Sequence, residues 1–218
     1  MTILITGASR GIGRALYDVY SAMGTDVIGT CRKEIPATGR WIAFDAADPA
    51  SASGLAEDLD GAPLDLLVCN AGVYLDKGQD LHTGYPAAMW AETFAVNVTG
   101  VFLTVQALLP NLRAAAGGKI AIISSQMASQ ERAPGGSYIY RASKAAALNL
   151  GRNLAADLAP DGIAVGIYHP GWVQTDMGGE QAAITATESA LGLRQRFDAL
   201  GLSTTGCFET WDGRTHPF

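Results

Sequence analysis

A chain of 218 residues with 48% apolar and 17% charged side chains can bury a full core as one domain and is too apolar to remain disordered. A net charge of −6 disfavours any partner held through a phosphate backbone, which asks for a basic face, so no nucleic-acid partner is expected. Three widely spaced cysteines (Cys31, Cys69 and Cys207) with no CxxC pair suit reduced, buried thiols better than a disulfide framework or a zinc site.

The chain opens on Ile3-Leu4-Ile5, a buried-strand run, and Ile12, Leu16, Val19 and Met23 then mark one helix stripe that Gly24 ends. Strands are expected at Val27–Gly29, Trp41–Phe44, Leu64–Cys69, Ile120–Ile123 and Ile163–Tyr168, with a short seventh at Cys207–Trp211. Two long apolar helices fall between the later strands. One spans about Ala87–Leu109, closed by Pro110, and the other about Tyr140–Leu158, closed by Pro160 and Gly162. Strands that are apolar throughout are covered on both faces, and strand–helix alternation implies parallel pairing. The expectation is an α/β, single-domain, doubly wound seven-stranded sheet over 1–218. Nothing at the start resembles a leader and no run of 18 apolar residues is present, so a cytoplasmic chain without a membrane span is expected. Three irregular stretches (73–86, 126–137 and 175–202) follow strands and should line one crevice at the sheet's carboxyl edge.

Two local patterns carry chemistry. Between the first strand and first helix lies Thr6-Gly7-Ala8-Ser9-Arg10-Gly11-Ile12-Gly13. Gly7, Gly11 and Gly13 let the backbone turn tightly and approach a pyrophosphate, which the N–H groups of a helix start would receive; an ordinary strand-to-helix turn is the alternative. In Tyr140-Arg141-Ala142-Ser143-Lys144, a phenol and an ammonium four residues apart share one helix face. A cation beside a phenol lowers its pKa and suits it to proton transfer, whereas Tyr and Lys at this spacing are otherwise a solvated face.

These patterns, with Asn70-Ala71-Gly72 after the fourth strand, Asn97 in the long helix, Ser124-Ser125 ending the fifth strand and Pro170-Gly171-Trp172-Val173-Gln174-Thr175 after the sixth, resemble the short-chain dehydrogenases/reductases. The segments around Tyr140 and Pro170 are similar to its C-factor and sniffer-type carbonyl-reductase branch. The resemblance implies that Tyr140 is the general acid or base, that Lys144 holds the nicotinamide ribose and depresses the Tyr140 pKa, and that Ser125 bonds the substrate oxygen. It implies further that Asn97 completes a water relay to Lys144, with a hydrogen-bonded core amide as the alternative. Ser124 stays open as the serine, because Ser125 stands 15 residues before Tyr140 where the family usually leaves about 13, and residue 127 is Met127. Cofactor contacts are implied for Gly7, Ser9, Arg10, Gly11, Ile12, Gly13, Asn70, Ala71, Gly72, Tyr140, Lys144, Pro170, Gly171, Val173 and Thr175, with Asp45 toward the adenine. Asn70 and Asp45 also read as plain loop residues.

The second strand ends in Thr30-Cys31-Arg32-Lys33 with no acid to accept a ribose 2′-hydroxyl, and Arg10 adds a second guanidinium, so NADP(H) is expected over NAD(H). The segment 176–202 occupies the substrate-binding region and is short. Tyr74, Trp90, Met127, Trp172 and Met177 are candidates for an apolar wall, suiting a small uncharged carbonyl or alcohol. No metal is expected, since His169 has no His or Cys near it in sequence. The apolar stripe Phe94, Val98, Val101, Phe102 and Val105 suits a homodimer or homotetramer face or plain core. The expected activity is NADP(H)-dependent hydride transfer between the nicotinamide and a small carbonyl or alcohol, with Tyr140 as general acid or base. The rival is a dinucleotide-binding signalling or redox-sensing module without essential turnover. A sugar-nucleotide epimerase on a related fold is disfavoured by the short C-terminal region.

Overall fold

The computed structural model describes residues 1–131 and 133–218; Arg132, in the expected loop 126–137, lies outside them. Seven strands form one parallel sheet: β1 (Thr2–Ile5), β2 (Asp26–Cys31), β3 (Arg40–Ala43), β4 (Leu66–Cys69), β5 (Lys119–Ile123), β6 (Ala164–His169) and β7 (Phe208–Thr210). Their order in the sheet is β3-β2-β1-β4-β5-β6-β7. The chain therefore leaves β1 in one direction and returns to the other side at β4, which opens a crevice between the carboxyl ends of those two strands. Both expected motifs beside it, the glycine loop after β1 and Asn70-Ala71-Gly72 after β4, stand at that switch point.

Strand alternation feeds two cores. Leu4, Ile28, Leu67, Ile120 and Ile122 point to one face, against α2 (Pro49–Leu59), α4 (Gly100–Ala114) and the end of α5 (Tyr138–Leu158). Ile3, Ile5, Val27, Leu66 and Val68 point to the other, against α1 (Gly11–Ala22) and α6 (Ala186–Ala199). Full burial of one such Leu or Ile side chain stabilises by about 1.5–3 kcal/mol, so the interdigitated faces hold the helices in place.

The structure departs from expectation at three helices. α2 has weak periodicity in sequence, yet Asp48 caps it by accepting from the Ala50 N–H at 3.0 Å, and Pro49 follows in the first turn, where its missing N–H has no consequence. Pro110 does not close its helix; α4 runs on to Ala114. The last turn is anchored because Leu108 and Leu112 are fully buried and Asn111 donates to the Ala62 carbonyl at 2.8 Å. Half of the expected substrate segment 176–202 is α6, capped by Thr185 and buried through Leu193 and Phe197, so it serves the core as much as the site.

Before α4 come α3 (Ala87–Phe94) and a π-helical turn, Ala95–Thr99. Taken together, Ala87–Ala114 spans 28 residues and holds an 18-residue window of mean hydropathy 1.5, so one helix does reach the length and apolarity of a membrane span. Its apolar stripe divides: Val101 and Val105 lie in the core against the sheet, whereas Phe102 is 40% exposed.

Candidate active site

The glycine loop is shaped by backbone constraints. Gly7 has φ +65° and Gly11 +56°, conformations that side chains disfavour. A Cβ on Gly13 would stand 2.4 Å from both the Gly7 carbonyl and the Asn70 amide. Asn70 explains the tightness: its Nδ2 donates to the carbonyls of Thr6 (3.0 Å) and Gly7 (3.1 Å), tying the loop to β4. Thr6 returns the tie, its hydroxyl accepting from the Asn70 and Ala71 N–H groups at 3.0 Å. Asn70 thus lies at the crevice while its amide is committed to the loop.

α1 then begins with no side-chain cap and no acidic residue in its first turn, leaving its first N–H groups facing the crevice. This cradle suits a pyrophosphate. The crevice, about 550 Å³, runs past Gly7, Ser9, Arg10, Gly11, Ile12 and Gly13, with Arg32, Lys33 and Asp45 toward β2 and β3. Ala71, Gly72, Tyr140, Lys144, Pro170 and Thr175 line the remainder. The glycine-loop N–H groups and the Arg10, Arg32 and Lys33 cations along it suit the phosphates of a dinucleotide.

Some expected contacts are placed differently. Gly171 packs beside Ile184 and Trp211, and Val173 is buried and bridges to Ile184, so neither side of that turn lines the crevice as Pro170 and Thr175 do. Arg10 pairs with Asp176 at 2.8 Å, which brings a carboxylate, along with Glu34, to a pocket where sequence showed only cations. The pair is exposed and is worth about 0–1 kcal/mol, so an anion can compete for the guanidinium. Asp45 Oδ1 accepts from the Ala47 N–H at 3.0 Å, a local turn bond at the crevice edge.

The proposed chemistry gathers at the other end. Tyr140 and Lys144 are buried on one face of α5. The Ser125 side chain lies near enough to the Tyr140 hydroxyl to influence its pKa, and its Oγ accepts from the Met127 N–H at 3.1 Å. Ser124 instead donates to the Lys144 carbonyl at 3.0 Å, bracing α5 on β5. Asn97 sits in the π-helical turn, where such turns recur at functional sites. Its Oδ1 accepts from the Val73 N–H at 2.9 Å, and its Nδ2 donates to the Val73 carbonyl (2.9 Å) and Ser143 (3.0 Å). That side chain acts as a clamp between loop and helix, as the hydrogen-bonded core alternative expects; Lys144 Nζ donates to the Ile123 carbonyl at 2.9 Å.

The electrostatics reverse one expectation. Burial is the largest influence on Tyr140 and pushes its pKa up to about 12; the Ser125 side chain lowers it, while Tyr74 and Asp76 raise it further. Lys144 Nζ lies 5.8 Å from the ring centroid, and desolvation is the larger influence on the phenol. Burial draws the Lys144 pKa down from 10.5 to about 8.

A depressed lysine pKa penalises the folded state below it. The unfolded chain binds that proton more tightly, so stability rises as pH climbs from about 8 toward 10, by about 3 kcal/mol for a full shift of this size. Above about 10 the raised phenol pKa of Tyr140 works in the opposite sense. The buried Cys69 thiol, pushed up to about 12, works in the opposite sense from about pH 9, so the check is a difference: the gap in denaturant midpoint between Lys144→Met and the native chain should narrow as pH climbs from about 8 to 10.

The candidate apolar wall is dispersed. Tyr74 stacks on Tyr140 with centroids 4.2 Å apart, and Met177 lines the crevice. Trp90 stacks on Phe94, while Trp172 lines a separate cavity of about 400 Å³ with His169, Trp211 and His216. His216, remote in sequence, comes within 5.9 Å of His169 ring to ring. Among the described residues no three His, Cys, Asp or Glu side chains converge as a metal site requires. Asp76 has no signature in sequence, where a single acid in a polar loop reads as solvated, yet it is fully buried beneath Tyr140.

Glycine cradle, switch-point crevice and buried Tyr–Ser–Lys group together define an NAD(P)-dependent oxidoreductase. Residues 1–185 match the family model described as short chain dehydrogenase. The chain is 38% identical over 158 residues to C-signal of Myxococcus xanthus, covering 72% of this chain and 93% of that protein. In structure it is similar to the NADPH-bound carbonyl reductase from chicken fatty liver (TM-score 0.91, 29% identity, 100% and 98% of the two chains covered). It is likewise similar to carbonyl reductase Sniffer of D. melanogaster (TM-score 0.92, 26% identity, 100% and 99% covered). The chain belongs to the short-chain dehydrogenase/reductase family, in the branch of these C-factor and sniffer-type proteins.

Proposed function

We propose that this chain is an NADP(H)-dependent carbonyl reductase acting on small uncharged aldehydes or ketones, with Tyr140 as the proton donor. The observation that carries the reading is geometric: the Tyr140 phenol and Lys144, on one face of α5, line the same crevice as the glycine loop. A group poised as an acid serves carbonyl reduction, where the developing alkoxide takes a proton. When bound, the nicotinamide supplies the hydride. Ser125 would donate to the substrate oxygen as its charge grows, and Lys144 would bond the ribose hydroxyls and hold Tyr140 in its electrostatic setting. The glycine loop and the start of α1 would receive the pyrophosphate.

Preference for the 2′-phosphate is supported by Arg32 and Lys33 at the β2 end of the crevice and by the NADPH carried by the similar chicken enzyme. Arg10 would exchange Asp176 for the phosphate. The test is NADPH oxidation against a panel of aliphatic and aromatic aldehydes, ketones and diketones. Turnover of at least one class is expected. The Arg10→Ala/Arg32→Ala double variant should weaken NADPH binding by about 10- to 100-fold, as for two charge-assisted contacts, and leave NADH binding within about threefold. The similarity to C-signal supports a second reading, a dinucleotide-binding signalling module. Tight NADPH binding with no turnover across the panel would favour it.

A further inference from the structure

Among the described residues Asp76 is the one carboxylate that is buried, and its exposure is zero. It stands in the loop between β4 and α3, yet it accepts from the backbone N–H of Ile139 at 2.8 Å and from that of Tyr140 at 3.2 and 3.3 Å. Those are first-turn donors of α5, groups that no carbonyl within the helix can satisfy. The helix brings no cap of its own. Ser137, at the N-cap position, has φ 47°, and its side chain makes no cap bond; its hydroxyl is hydrogen-bonded to that of Tyr74. The same loop thus holds Tyr140 twice, by its main chain through Asp76 and by its ring through Tyr74, stacked 4.2 Å away.

We propose that Asp76 is a positioning residue for the reaction, a helix cap delivered from a distant loop that fixes the first turn of α5 and so holds the Tyr140 hydroxyl against Ser125. The inference rests on Tyr140 as the acid. A carboxylate at a helix start is favoured by the helix dipole as well as by the two N–H donors.

The Asp76 side chain also acts on the phenol. The groups facing Tyr140 are Lys144 on its own helix, Ser125 after β5, and Tyr74 and Asp76 on the loop. Asp76 and Tyr74 oppose ionisation of the phenol and Ser125 favours it. Neutralising Asp76 therefore moves Tyr140 ionisation to lower pH. The alkaline fall of carbonyl reduction, which needs the phenol protonated, moves the same way.

Asp76→Asn keeps the shape and one acceptor without the charge, and Asp76→Ala removes both. In Asp76→Ala, amide hydrogen exchange at Ile139 and Tyr140 should quicken by about tenfold relative to the middle of α5, as loss of a cap predicts. Its kcat should fall by about tenfold or more, with the carbonyl KM within about threefold. Asp76→Asn should recover much of kcat while its alkaline limb shifts downward by about half a pH unit. Unchanged exchange at the two amides, or an alkaline limb unmoved in Asp76→Asn, overturns the inference. If Asp76→Ala does not fold, Asp76→Asn decides by the limb and by exchange at the same amides. Tyr140→Phe, run beside them, separates the two readings. Full turnover in that variant removes Tyr140 as the acid, whereas an inactive Tyr140→Phe with an unmoved limb in Asp76→Asn removes only the role of Asp76.

Discussion

Tyr140→Phe should lower kcat for carbonyl reduction by about a thousandfold, within the range that loss of a positioned general acid produces. NADPH should still bind within about fivefold, because a single hydroxyl contact is worth only about 0.5–1.5 kcal/mol. The substitution is clean for a structural reason. The aromatic ring, which stacks on Tyr74 at 4.2 Å, is retained, and the backbone N–H still meets Asp76. Only the hydroxyl, and with it the transferable proton, is removed. Fluorescence titration of NADPH alongside steady-state rates separates binding from chemistry. A variant that turns over at the native rate would assign the proton to another group.

Gly13→Ala should weaken NADPH binding by about a hundredfold, or about 2.7 kcal/mol, and lower thermal stability at the same time. The added methyl would lie 2.4 Å from Asn70 Nδ2 and 2.4 Å from the Gly7 carbonyl, closer than any real contact. These are the two atoms whose hydrogen bond ties the glycine loop to β4, so relief of the clash must break that tie and tilt the cradle. Overpacking of this kind costs about 1–3 kcal/mol before the lost hydrogen bond is added. Gly54→Ala makes the matched control. It lies inside α2 with nothing within 4 Å of the new methyl, and replacing a helical glycine there should stabilise by about 0.5–1 kcal/mol with NADPH affinity unchanged. Equal affinities in the two variants would mean that the cradle does not hold the pyrophosphate.

Much of the fold is legible because the strands are buried on both faces. Ile3-Leu4-Ile5 and Ile120–Ile123 are apolar at every position, which only a two-faced parallel sheet explains, and β1 and β5 lie where those runs place them. α2 and the second half of 176–202 were not legible as helices of the core. Their buried faces are small (Ala52, Leu55 and Leu59 in one, Ala190, Leu193 and Phe197 in the other), so sequence periodicity is faint and the sheet supplies the remainder of the surface. Pro110 misleads for a related reason: the barrier it raises locally is offset by tertiary anchors at Leu108, Asn111 and Leu112.

The sequence by itself determined what is local: which runs enter the sheet, where the backbone must turn through glycine, and that Tyr140 and Lys144 share a helix face. Each follows from spacing of a few residues and needs no partner. Only the tertiary structure decided that Asp76 crosses 63 positions to cap α5, that Asn97 clamps a loop to that helix, and that Asn70 staples the glycine loop. It also decided the sign of the Tyr140 shift. Spacing puts a cation near the phenol, but the pKa depends on how much water the surrounding elements remove, and burial outweighs the single charge that the sequence places nearby.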